Sequence, residues 1–126
     1  MAKKILAVDD EDSIRELVNA VLTGAGFEVV TASDGEDCLE KLKTLKPDLI
    51  LLDMMMPGMS GRETCERIRA NPKTKSLKVA FLTVAKFSES GKDTLKKMKV
   101  SDYITKPFDN KDLIMRVRRA LDQSRA

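Results

Sequence analysis

The sequence predicts an α/β domain in which a parallel sheet is covered by helices on both faces. Three observations lead there. Four short apolar runs, at residues 5–8, 29–30, 49–52 and 79–82, punctuate the chain, and three of them show no polar alternation, as strands buried on both faces require. Stretches with apolar residues at 3.6-residue spacing lie between the runs. Strand and helix patterns alternate five times, at roughly 25 residues per unit, which is the signature of right-handed crossovers between parallel strands.

Taken in order, the first strand is Ile5, Leu6, Ala7 and Val8. A helix follows from Asp12, with Ile14, Leu17, Val18, Val21 and Leu22 as its apolar stripe. Asp12 or Ser13 is its expected N-cap, and Gly24 or Gly26 its end. The second strand centres on Val29 and Val30. The second helix spans residues 35–46, capped by Asp34 and closed by Pro47. Strand three covers residues 49–52, and helix three covers residues 62–70, before Asn71 and Pro72. Strand four is residues 79–82, and helix four is expected at residues 88–98. Tyr103 and Ile104 mark a weaker fifth strand, and a fifth helix runs over residues 111–123.

A chain of 126 residues suits one domain, with its core expected at residues 4–121. The chain ends directly after the fifth predicted helix, so no output domain is expected. No apolar run approaches the roughly 18 residues that span a bilayer, and the four-residue run after Lys4 is too short for a signal peptide, so a cytoplasmic location is expected. The absence of histidine excludes a His-based triad and His-ligated metals. Cys38 and Cys65 lack zinc-like spacing and read as small core residues. Arg116, Arg118, Arg119 and Arg125 crowd the C-terminus, but a net charge of +3 is modest. A solvated helix face accounts for it, and no direct nucleic-acid contact is expected.

The chemistry should collect at the carboxyl ends of the strands. Those ends supply Asp9, Asp10, Asp53, Thr83 and Lys106. Each alone is ordinary, because an aspartate after a strand is usually a cap or a solvated loop residue. Together they place three carboxylates, a hydroxyl and a lysine on one edge. Such carboxylates repel one another and call for a hard divalent cation, and Mg²⁺ fits best, since it takes one or two carboxylates plus phosphate oxygens. The ion would also let Asp53 attack an anionic phosphoryl donor. The metal, Lys106 and the Thr83 hydroxyl would each stabilise one equatorial oxygen.

The pair Asp9 and Asp10, the run from Leu52 through Asp53, Met54, Met55, Met56, Pro57 and Gly58 to Gly61, Thr83, and the run Tyr103, Ile104, Thr105, Lys106, Pro107, Phe108 together resemble the receiver domains of two-component response regulators. The single-domain chemotaxis regulator is the familiar small example. The resemblance implies a flavodoxin-like sheet of order 2-1-3-4-5 with five helices. It implies Asp53 as phosphoacceptor and Asp10 as direct Mg²⁺ ligand, with Asp9 supporting the ion through water. The Met55 backbone carbonyl would be a further direct ligand and Lys106 the phosphoryl partner. Thr83 and Tyr103 would form the switch pair, and the Lys106–Pro107 peptide would be cis. The implied partners are a sensor histidine kinase or phosphotransfer protein and an unidentified downstream protein. The chain would be a switch rather than an enzyme acting on other substrates, and no membrane partner is expected.

Two departures from the family pattern stand out. Val84 follows Thr83 where a small residue is usual, and Lys99, Val100, Ser101 and Asp102 precede Tyr103 where a Gly-Ala pair is common. Met55 and Ala85 offer no base to orient water, so slow self-dephosphorylation is expected. Lys92, Asp102, Asp112 and Arg116 fall where related transcription regulators pair across a receiver dimer, although Ser88 and Ser101 replace usual charges. Phosphorylation-dependent homodimerisation through the fourth helix, fifth strand and fifth helix is therefore a further expectation. Three other readings are weaker. An aspartyl phosphatase of the haloacid-dehalogenase type needs a second aspartate where Met55 stands. A flavin module would want a Ser/Thr/Gly-rich loop in place of Asp-Asp-Glu-Asp. A phosphorylation-independent adaptor would not need the complete acidic site. Met54, Met56 and Met59 read as packing, and Gly58 and Gly61 as turn residues.

Overall fold

The computed structural model describes residues 2–83 and 99–122. The strands are β1 (Lys4–Val8), β2 (Glu28–Ala32), β3 (Leu49–Leu52), β4 (Val79–Thr83) and β5 (Asp102–Thr105). The helices among the described residues are α1 (Asp12–Gly24), α2 (Gly35–Lys41), α3 (Gly61–Ala70) and α4 (Asn110–Asp122). All strands are parallel, in the order β2-β1-β3-β4-β5. Sheet type and order are as expected. The described helices number four rather than five. The fourth predicted helix at residues 88–98, and the expectations resting on Val84, Ala85, Ser88 and Lys92, lie outside the described residues.

Alternation along the strands sorts the apolar runs onto two faces. Leu6, Val8, Ile50, Leu52, Val79 and Phe81 pack on one side with Cys38, Leu42, Cys65 and Ile68 of the α2–α3 layer. Ile5, Ala7, Leu49, Leu51, Ala80 and Leu82 pack on the other, with Val18 and Leu22 of α1 and Leu113, Val117 and Ala120 of α4. This two-sided burial is why the central runs carry no polar residue. Both cysteines are buried, and burial pushes the Cys38 thiol up to about 12, so it stays an inert packing group.

Helix boundaries follow local hydrogen bonding. α1 starts with Glu11 in the N-cap position and no side-chain cap, so neither Asp12 nor Ser13 caps it. The Glu11 amide instead donates to the Asp9 carboxylate at 2.9 Å, which draws the acidic turn inward. The helix ends in a Schellman arrangement. Gly26, at φ +98°, donates to the Thr23 carbonyl, and Phe27 donates to that of Leu22. Asp34 caps α2 as expected, accepting from the Asp37 amide at 2.7 Å. That helix is shorter than expected, because Lys43 and Thr44 bond to carbonyls three residues back and tighten the last turn. Ser60 caps α3 through the Glu63 amide.

The candidate phosphoryl-acceptor site

Strand order brings the site together. β1 and β3 are neighbours, so the residues following them, Asp9 and Asp53, emerge side by side. The Asp53 amide extends the pairing by donating to the Val8 carbonyl at 2.9 Å, and the Asp9 amide donates to Ala32 at 3.2 Å. Both side chains are buried, whereas Asp10 is exposed. Carboxylate oxygens of Asp9, Asp10 and Asp53 all lie within 4.8 Å of one another. Lys106 follows β5, and β4 lies between it and β3, so only a long side chain spans the gap. Its ammonium reaches Asp9 at 2.6 Å and Asp53 at 3.4 Å. The Lys106–Pro107 peptide is cis, as expected.

The carboxylates are not equivalent. Asp9 is fully engaged, one oxygen accepting from the Glu11 amide and the other from Lys106. Asp53 accepts from the Met55 amide at 3.1 Å and keeps its other oxygen for the longer Lys106 contact. Burial pushes the Asp53 carboxyl up to about 6. The Asp9 charge adds to the rise, against the pull of the Met55 amide and the Lys106 ammonium. Burial alone would lower the Lys106 pKa, but the hydrogen bond to Asp9 and the charges of Asp53 and Asp9 outweigh it and raise it.

The donor set fits a hard cation. Three carboxylates, if ionised, exceed the charge of Lys106 by two, all donors are oxygen, and the exposed Asp10 leaves the cluster open to water ligands.

Thr83 ends β4 in register with Thr105, at the same edge as Lys106. Tyr103 is half-buried, sits opposite Phe81 and packs on the α2–α3 side of the core. Met54 and Met56 are buried packing groups, while Met55, two residues after Asp53, is 62% exposed.

Several residues that shape the site were missed or misread. Gly61 is not a turn residue but the first residue of α3. A Cβ there would collide with the Asp53 carbonyl and come within 2.7 Å of the Met54 Cα. The signal was present in the spacing from Asp53, but not the reason. Gly58, at φ +74°, is a turn residue as expected. Arg15 donates to the Asp9 backbone carbonyl at 2.6 Å, which no pattern announced. In the altered lead-in to β5, Lys99 adopts φ +56°, and Arg69 donates to its carbonyl at 3.3 Å. Arg116 pairs within the chain with both Asp102 and Asp112, each at 3.0 Å.

Residues 5–118 match the family model of the response regulator receiver domain. The chain belongs to the response-regulator receiver family. Receiver domains of two-component systems are phosphorylated on an aspartate and act as signalling switches, and the adaptor alternative is not favoured. This receiver domain is 42% identical over 124 residues to the alkaline phosphatase synthesis transcriptional regulatory protein PhoP of Bacillus subtilis, covering 98% of the chain and 50% of that protein. It is 38% identical to the DNA-binding response regulator MtrA of Mycolicibacterium smegmatis, covering 96% of the chain and 51% of that protein. The chain thus spans about half the length of these curated relatives. Their names give no support to the expectation that nucleic acid is not involved.

Among solved structures, chemotaxis protein CheY4 of Vibrio cholerae superposes with a TM-score of 0.88 at 34% identity, over 95% of this chain and 99% of that one. Response regulator TrrA of Thermotoga maritima, in complex with Mg²⁺-BeF, gives 0.79 at 36% identity, over 94% and 98%. Among the described residues, no helix of this receiver domain is long and apolar enough to cross a membrane.

Proposed function

We propose that Asp53 is the phosphoacceptor of this receiver domain, and that Mg²⁺ bound by Asp10, Asp53 and the Met55 backbone carbonyl, with Asp9 behind it, enables the transfer. The observation that carries this reading is the convergence of three carboxylates within 4.8 Å, with Lys106 between the two buried ones. Asp53 is the acceptor of the three because Asp9 is fully hydrogen-bonded and Asp10 lies toward solvent. When bound, the metal supplies charge neutralisation at a phosphoryl oxygen.

The chain's own groups do the rest. The Met55 amide fixes one Asp53 oxygen and leaves the other for attack. Lys106 turns from carboxylate to phosphoryl oxygen, and Thr83 donates from the end of β4. Tyr103, on the half-buried face of β5, carries the change outward to the surface read by a downstream protein. The donor is a phosphohistidine on a sensor kinase or phosphotransfer protein, and the setting is the cytoplasm. Self-association is secondary to this reading, because Asp102, Asp112 and Arg116 already pair within the chain.

The test is incubation with Mg²⁺ and acetyl phosphate, read by intact mass, with beryllofluoride as a mimic read by NMR. Wild type gains one phosphoryl group and Asp53→Asn gains none. Equal labelling of the two would overturn the assignment.

A further inference from the structure

Asp9, Asp10, Glu11 and Asp12 place four carboxylates in succession between β1 and the first turn of α1. α1 has no side-chain N-cap, and Asp9 spends both carboxylate oxygens on Glu11 and Lys106. The Glu11 amide closes a turn around the peptide between Asp9 and Asp10, but no member of that set donates to the peptide's carbonyl. Arg15 does. From the second turn of α1 it reaches back six residues, donating through Nη1 to the Asp9 backbone carbonyl at 2.6 Å and through Nη2 to the Asp12 carboxylate. Its side chain is only 19% exposed, so the fork is held against the turn rather than swinging in solvent. A planar guanidinium can hold two acceptors in fixed relation, and an ammonium cannot do so with the same geometry.

We infer that Arg15 is a positioning residue for the metal site: by clamping the Asp9 carbonyl it sets the Asp9–Asp10 peptide, and so aims the exposed Asp10 carboxylate at Asp53. The inference rests on the functional reading above and deepens it. Groups behind a metal ligand commonly change affinity ten- to a hundredfold when removed. A competing role has the opposite sign. If Arg15 served only to screen the acidic turn, its positive charge would oppose a cation, and removing it would tighten Mg²⁺ binding.

The experiment is a Mg²⁺ titration of wild type, Arg15→Gln and Arg15→Lys, followed by the amide NMR signals of Asp10, Asp53 and Met55, with thermal unfolding measured in EDTA. Positioning predicts that Arg15→Gln binds Mg²⁺ about tenfold more weakly, with Arg15→Lys between it and wild type. Unchanged or tighter binding by Arg15→Gln overturns the inference, whatever happens to its unfolding temperature, since a merely structural role would lower stability and spare affinity. A wild type without Mg²⁺-dependent shifts at Asp53 would overturn the functional reading, and this inference with it.

Discussion

Lys106 and Asp9, 97 residues apart, make a 2.6 Å contact, shorter than the 3.4 Å contact from Lys106 to Asp53. The lysine is therefore held chiefly by Asp9, while Asp53 keeps a looser share of its charge. The arrangement places one cation within reach of both buried carboxylates of the acidic cluster.

Lys106→Met removes that cation. Asp9 and Asp53 then remain buried with no lysine between them, and breaking a buried pair costs about 3 kcal/mol. The metal-free variant should unfold at lower denaturant concentration, and Mg²⁺ should bind it several-fold more tightly, because a competing positive charge is gone. Urea unfolding with and without Mg²⁺ measures both. Weaker Mg²⁺ binding would show instead that Lys106 holds Asp9 in place for the metal.

Asp53 sets a pH dependence. Its folded pKa, about 6, stands above the ordinary value of 3.8, chiefly through burial. Between those values the native state binds more protons than the unfolded state, so this group lowers stability as pH rises from about 4 to 6. Its cost is complete above that window and absent below it. In metal-free protein, Asp53→Asn should be more stable than wild type by about 1–3 kcal/mol at pH 7.5, converging with it near pH 4. Paired unfolding curves across pH 4–8 check this. A constant difference over the range would falsify the burial account.

Gly61→Ala should destabilise the fold by about 1–3 kcal/mol, the usual cost of forcing a methyl group into filled space. The obstacle is backbone, the Asp53 carbonyl and Met54 Cα, which cannot rotate away as a side chain can. The variant should also phosphorylate more slowly with acetyl phosphate, since relief of the collision displaces Asp53, the proposed acceptor. Normal kinetics in a destabilised protein would separate the two effects.

Lys99 occupies left-handed backbone at φ +56°, where a side chain costs about 1–2 kcal/mol relative to glycine, offset in part by glycine's greater freedom when unfolded. Lys99→Gly should therefore raise stability by about 0.5–1 kcal/mol, read as a higher thermal midpoint. Arg69→Ala, which removes the donor to the Lys99 carbonyl and to those of Lys75 and Leu77, should act in the opposite direction.

The sheet was legible in the sequence because burial on both faces leaves no room for polar alternation, so residues 5–8, 49–52 and 79–82 announced themselves. The acidic site was legible because parallel strands all deliver their carboxyl ends to one edge. Asp9, Asp53 and Lys106 could be placed there without coordinates. Boundaries set by single hydrogen bonds were not legible, such as the early end of α2 and the capless start of α1. Nor was the Arg15 clamp, nor the packing of Gly61 on the Asp53 carbonyl. Residue type and periodicity report which way a side chain faces. They do not report which backbone carbonyl a long arginine meets, or where two segments of chain approach too closely for a methyl group. Those depend on distances between elements, and only the assembled tertiary structure decides them.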